Sequence, residues 1–504
     1  MTVPEKLNLA RYCLERSARL TPDKTALVVY DQVDHVAERW CYRDIESAVL
    51  GVAGALKSSD IPAGSQVLLR IGNSSMFPFV FLGAISAGMV PVPTSSMLTE
   101  RECNYVFLDS QAAAIIHDGK TSLPTDIGSS IVLGPDDIEQ MIAAPAGDYA
   151  DTGANDPAFL VYTSGTSGAP KGVLHAHRSL FGRRPMYRSW YGISDQDVLL
   201  HAGAFNWTYT LGVGLMDPWV NGATSVVYSG PNKPEIWADL IERCGATLFA
   251  AVPSLYRRIL KYSALDRTSF PKLRHGLTAG EALPVALYNE WLKRTGRPLF
   301  EALGMSEIST YISSSPEVAV RPGSPGKPQI GRKIAILPPD NNDLAPLPVG
   351  ESGLLAVHKS DPGMMIGYWR LPEETAAAFR GPWFLTGDSG HLDEDGYVWF
   401  GGRTDDVMNA SGYRVAPQEV EEVIGLAPGV SEVAVAQVQT ADGVDLISAY
   451  IVASVPENTD AAPIEQWCAA RLAKYKRPRQ YRFVADLPRT RSGKILRRKL
   501  NELD

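Results

Sequence analysis

Residues 162–172 read YTSGTSGAPKG, and the rest of the chain is arranged around this stretch. Gly165, Gly168 and Gly172 let the backbone turn where a Cβ would clash and bring amide N–H groups up to an anion. Thr163, Ser164, Thr166 and Ser167 add hydroxyl donors, and Lys171 supplies a positive charge. The apolar run 158–161 leads in as a buried strand does, which predicts a loop at a strand end of an open α/β sheet, where such sheets bind ligands. The spacing excludes a Walker A loop, because Pro170 precedes the lysine and Gly172 follows it. TSGTSG alone also reads as a solvated loop, but the adjoining PKG favours a phosphate cradle.

At 504 residues the chain exceeds what one core supports and predicts two or more domains. Hydrophobic and charged contents of 45% and 21% are those of a soluble globular protein, and a net charge of −8 argues against a general nucleic-acid binder. The five cysteines lie far apart with no CxxC pair, so neither a disulfide framework nor a zinc site is expected. The N-terminus has no secretory pattern, and a cytoplasmic location is expected. Residues 76–93, MFPFVFLGAISAGMVPVP, are uncharged over a membrane-spanning length, but Pro78, Pro91 and Pro93 interrupt them. They divide better into a buried helix at 79–87 and a strand at 89–92, after a strand at 66–71. Further strands at 197–200, 223–228 and 247–252, with a helix at 237–243, continue the α/β alternation. Short strands with Asp-Gly turns over 354–400 predict a small β-rich subdomain.

Four further motifs stand in series with the loop: LGMSE (303–307), WFLTGD (383–388), GGR (401–403) and PRTRSGKILRR (488–498). With them the chain resembles the adenylate-forming, or acyl-activating, enzymes over nearly its whole length. The resemblance implies a large N-terminal domain of α/β sheets with the β-rich subdomain, at 1–402, and a small mobile α+β C-terminal domain at 403–504. Its hinge would be Asp405. It implies ATP, CoA and Mg²⁺, with adenylation of a carboxylic acid, release of pyrophosphate, and acyl transfer to CoA. The loop residues Thr163, Ser164, Gly165, Thr166, Ser167, Gly168 and Lys171 would hold phosphate, and Glu307 with Thr166 would hold Mg²⁺, a job suited to hard oxygen donors. Gly280, Glu281, Ala282, Leu303, Gly304, Met305 and Ser306 would line the nucleotide site. Asp388 and Arg403 would meet the ribose, and Lys494 would contact the reacting carboxylate and the α-phosphate. Ser411, Gly412, Tyr413 and Arg414 would face CoA after a domain rotation. Lys171, Glu307 and Lys494 are the expected catalytic residues.

The resemblance also bears on the acid. Leu303 stands where many relatives carry an aromatic residue; an aliphatic residue before the glycine resembles the benzoate-type CoA ligases, and LTAGEALP (277–284) and RPGSPGKP (321–328) look like that branch too. Gly304 occupies a place where acetate-specific relatives carry a tryptophan, which disfavours acetate. Phe205, Asn206, Trp207 and Leu211, with Ala279, Gly280, Gly304 and Met305, are the expected acyl pocket. No cationic residue is evidently placed to pair with a second carboxylate, so the expectation is an aromatic or medium-chain monocarboxylic acid. A stand-alone ligase loading a carrier protein is the alternative, and a nucleotide- or nucleic-acid-binding protein the non-enzymatic one. A homodimer, and a lysine acetyltransferase acting on Lys494, are the partners the resemblance allows; no nucleic acid and no membrane span are expected.

Overall fold

The computed structural model describes residues 2–503 except 164–169, 232, 281–282, 284, 340–342, 404–407, 411–412, 416, 441–443, 456–459 and 489–496. A nine-stranded sheet dominates the large domain, in the order Lys327–Pro328, Ser309–Ser313, Leu299–Met305, His275–Ala279, Leu248–Ala251, Val198–His201, Thr224–Tyr228, Thr25–Gln32, His35–Cys41. Its six central strands run parallel and the outer pairs antiparallel. The inner strands LFAA and HGLTA are buried end to end and VLLH from Leu199 onward, as expected when helices cover both faces.

A second, four-stranded parallel sheet contains Val90–Pro93, Gln66–Arg70, Ala114–His117 and Ile131–Leu133. The uncharged segment folds as expected into a buried helix, Met76–Ser86, followed by the strand Val90–Pro93. Pro78 does not interrupt it, because it sits in the first helical turn, where its missing N–H would have no intrahelical partner. No helix among the described residues is long and apolar enough to cross a membrane.

The strands that flank the glycine-rich loop depart from its expected setting. Its leading strand, Pro157–Thr163, is hydrogen-bonded antiparallel to Lys171–Ala176, in a three-stranded sheet completed by Gly367–Tyr368. The loop therefore closes a hairpin and does not cross from a parallel strand into a helix; an apolar run alone specifies a buried strand but not its partner. The β-rich region is a five-stranded antiparallel sheet of Ile334–Leu337, Gly353–His358, Trp383–Leu392, Phe379–Arg380 and Val398–Arg403. Its Ile336, Leu355, Phe384 and Val398 join one core with residues from Leu9 onward.

From Met408 the chain builds separate cores. One joins Met408, Val420, Ile424, Val435, Ile451 and Leu472, under the sheet Val430–Gln439, Asp445–Ala453, Gln480–Phe483. The architecture is a large α/β domain with a small α+β domain after it. All five cysteines are free, and Cys13, Cys103 and Cys468 are buried.

Candidate active site

A cavity of about 1640 Å³, counting its open mouth, lies where the hairpin, the ends of the large sheet and the small domain meet. The large sheet contributes Ala279 and Gly280 from the end of one strand, and Gly304, Met305 and Ser306 from the end of the next and just beyond it. Gly280 has φ +91°, a left-handed conformation that glycine adopts without strain. The segment after Val198–His201 contributes Asn206, Trp207 and Leu211, and the hairpin contributes Thr163. Phe205 is not among the lining residues: it is buried and stacks on Phe77, ring centroids 5.3 Å apart. Its alternation with Trp207 suggests one shared face, but the backbone leaves the strand before this point and places the two rings in different environments.

Gly304 is constrained by backbone and not only by the ligand space. A Cβ there would stand 2.6 Å from the Thr310 Cα and 2.7 Å from the Ser309 carbonyl oxygen. A tryptophan at this position would thus have to push its own strand away from the paired neighbour before it could shorten the pocket.

Glu307 is buried, and its Oε1 accepts a hydrogen bond from the Tyr368 hydroxyl at 2.9 Å. Its Oε2 is buried with no protein partner among the described residues. A hard carboxylate oxygen desolvated without a donor fits a cation ligand. Lys171 forms an ion pair with Glu374 and stands 5.5 Å from the centre of the Tyr368 ring, so the basic and acidic groups converge on one tyrosine. Asp388 is buried, accepts from Tyr311 at 3.3 Å, and lies opposite Arg403 in the antiparallel register. Leu303, half-buried, packs against the main core.

His175 also lines the cavity, stacks on Phe159 at 4.7 Å and has Nε2 2.8 Å from the Ser306 carbonyl. Burial pushes its pKa down to about 4, so it is a neutral ring at physiological pH.

The small domain closes the cavity with Tyr413, Tyr475 and Lys476. Tyr413 stacks on Trp207 at 5.5 Å and on Tyr475 at 3.9 Å, bridging the two domains with aromatic surface. Lys476 is buried between Glu419 of its own domain, at 2.5 Å, and Glu102 of the large domain, at 3.2 Å. Burial alone would lower its pKa, but Tyr475, Glu419 and Glu102 outweigh it and hold the pKa above the ordinary lysine value. Glu102 serves both sides. Its Oε2 accepts the Thr99 amide at 2.9 Å in a helix capping box, and its Oε1 faces Lys476 and the Ala473 amide.

The sequence reading missed Arg183, Ser309, Tyr475, Lys476 and Glu102. Only the basic run KYKR at 474–477 offered a signal, and it reads equally as a solvated surface. Ser164, Gly165, Thr166, Ser167, Gly168, Glu281, Ala282, Asp405, Ser411, Gly412 and Lys494 lie outside the described residues, as do the side chains of Arg403 and Arg414. Among the described residues no group of three metal-ligating side chains occurs.

The family model described as AMP-binding enzyme matches residues 14–369, and that of the AMP-binding enzyme C-terminal domain matches 419–494. The 3-hydroxybenzoate–CoA ligase of Aromatoleum sp. (strain CIB) is 32% identical over 483 residues, covering 92% of this chain and 91% of that protein. A double mutant of o-succinylbenzoate CoA synthetase from Bacillus subtilis, bound to a product analogue, overlays with a TM-score of 0.85 at 26% identity, covering 98% of each chain. ATP-bound MatB from Rhodopseudomonas palustris overlays with a TM-score of 0.72 at 28% identity, again over 98% of each.

Proposed function

The chain belongs to the AMP-binding enzyme family, and from that premise we propose that it is an AMP-forming carboxylate–CoA ligase acting on an aromatic, benzoate-sized monocarboxylic acid. The observation that supports this is that Gly280, Gly304, Met305, Ser306 and Tyr413, expected at the nucleotide, acyl and CoA sites, all line one cavity.

A carboxylate is a poor nucleophile towards a polyanion, so the first step needs positive charge around the α-phosphate. The loop with Lys171 would bind the phosphates, and Lys171 would exchange its ion pair with Glu374 for them. Lys494 would orient the reacting carboxylate. Mg²⁺, held by Glu307 and Thr166, would supply charge neutralisation at the departing pyrophosphate. Asp388 and Arg403 would bind the ribose hydroxyls. His175, neutral and hydrogen-bonded to the Ser306 carbonyl, would fix that strand end and take no proton.

In the second step the thiol of CoA attacks the acyl carbon, and AMP leaves. The docked small domain, with Tyr413 on Trp207, suits this step, and the tighter overlay on the product-analogue complex than on the ATP complex supports that assignment. The first step would require the domain to turn about Asp405 and bring in Lys494. The reading carries with it a cytoplasmic location and, as a control, acetylation of Lys494, which would remove its charge.

The test is a screen of pyrophosphate release across aromatic, branched and straight-chain acids, with and without CoA. Release with an aromatic acid, followed by thioester only when CoA is present, is the expected outcome. Release with no acid tried would sink the reading, and acyl transfer to a carrier protein but not to CoA would replace the acceptor.

A further inference from the structure

One wall of the cavity is polar where its neighbours are apolar. Arg183 and Ser309 line it in company with Val213, Met216 and Ile308. The guanidinium is held from behind: its Nε and Nη2 donate to the two oxygens of fully buried Asp217 at 2.8 and 2.6 Å, and the Tyr191 hydroxyl donates to the same carboxylate at 2.6 Å. Its remaining nitrogen, Nη1, donates to the Ser309 hydroxyl.

Two backbone features accommodate this pair. Gly212 has no side chain, and a Cβ there would meet Nη2 of Arg183 at 2.0 Å. Ser309 holds φ +85°, a left-handed conformation uncommon for a non-glycine residue and held there by the surrounding structure. Both lie at the acyl end, since Gly212 follows Leu211 and the Ser309 carbonyl packs on Gly304.

The Ser309 hydroxyl accepts from Arg183 and gives its own hydrogen to the Met186 sulfur at 3.4 Å, a weak acceptor. An oxygen acceptor displaces sulfur at little cost, and the serine oxygen has a second lone pair. A substrate hydroxyl thus finds donor and acceptor at one atom, polarised by the neighbouring guanidinium. A second carboxylate gains less, because Asp217 already neutralises that guanidinium.

Resting on the ligase reading, we propose that Ser309, positioned by Arg183, selects aromatic monoacids carrying a ring hydroxyl over unsubstituted and dicarboxylic acids of similar size. Arg183 does stand at the cavity wall, but its charge is committed to Asp217, so it is not placed to pair with a second carboxylate.

The test compares kcat/KM for thioester formation by the full-length protein, with ATP, Mg²⁺ and CoA, on benzoate, the ortho, meta and para hydroxybenzoates, and phthalate. At least one hydroxybenzoate should exceed benzoate by about tenfold, the upper end of the worth of one neutral hydrogen bond. In Ser309→Ala, which keeps the Cβ and its backbone demand, that ratio should fall to about threefold or less. A ratio is unaffected by the fraction of protein that folds, and the wild-type preference is read without any variant. Benzoate used as well as every isomer, preference for phthalate, or a ratio preserved in Ser309→Ala would each overturn the proposal. Activity confined to aliphatic acids would overturn it together with the aromatic assignment while leaving an AMP-forming carboxylate–CoA ligase standing, whereas failure of every acid to release pyrophosphate removes both.

Discussion

Two buried cations border the same cavity and differ in what surrounds them. Arg183 is locked to Asp217 within the large domain by two hydrogen bonds in fork geometry, and both partners stay together whatever the small domain does. Lys476 is equally buried, but one of its two carboxylates, Glu102, belongs to the other domain. The first pair is built into the pocket wall. The second exists in full only while the domains are docked as seen here, so the same chemistry is permanent in one place and, if the small domain turns, reversible in the other.

Breaking the permanent pair should cost most. Asp217→Asn would leave the Arg183 charge buried and uncompensated, and denaturant unfolding of the large domain should show a loss of about 3–5 kcal/mol. Both half-reactions should then suffer alike, and a loss confined to one would separate this pair from the pocket wall.

Next comes the lysine that would act in the other domain arrangement. Lys494→Ala should slow pyrophosphate release by about 10²- to 10³-fold, as expected for one preorganised charge at a developing anion. Thioester formation from supplied acyl-adenylate should survive in that variant. Equal loss in both steps would remove the first-step role proposed for Lys494.

A buried acid held by a backbone amide, with no ion pair among the described residues, sharpens the contrast. Glu301 is buried and accepts the Leu283 amide at 2.9 Å, and burial pushes its pKa up from 4.5 to about 7. A folded pKa above the unfolded one stabilises fully below pH 4.5, and that stabilisation is lost as the pH rises through 7. Glu301→Gln should therefore become more stable relative to the wild type between pH 5 and 8, by on the order of 3 kcal/mol, measured as a pH series of unfolding midpoints. A difference flat across that range would show that Glu301 has a partner when ionised.

The smallest effect should come from Glu102→Gln. Glutamine still serves the capping box, so the helix is kept while the charge facing Lys476 is removed. Single-turnover thioester formation should slow by about threefold to tenfold, with pyrophosphate release unaffected. If release slows equally, the ion pair is not specific to the docked arrangement.

What the sequence showed and what it hid follow from distance along the chain. The buried helix from Met76 and the β-rich region were legible because their signals are local: apolar runs and Asp-Gly turns within a few residues of each other. The hairpin setting of the glycine-rich loop was not, since an apolar run does not name its partner strand. Arg183 and Asp217 lie 34 residues apart and Glu102 meets Ala473 across 371, so no local pattern joins them. Ser309 was hidden for another reason, since serine carries no mark of a left-handed backbone and its φ is imposed by the strand it begins.

The stacked rings of Trp207 and Tyr413 have a spectroscopic consequence. If the small domain turns between the two half-reactions, this contact must break and re-form in each catalytic cycle, moving the indole between a ring-covered and a solvated environment. Trp207 would then be a built-in fluorophore for the domain motion. Its emission in stopped flow should change on addition of ATP and acid, and again on addition of CoA, at rates equal to those of the rotations themselves.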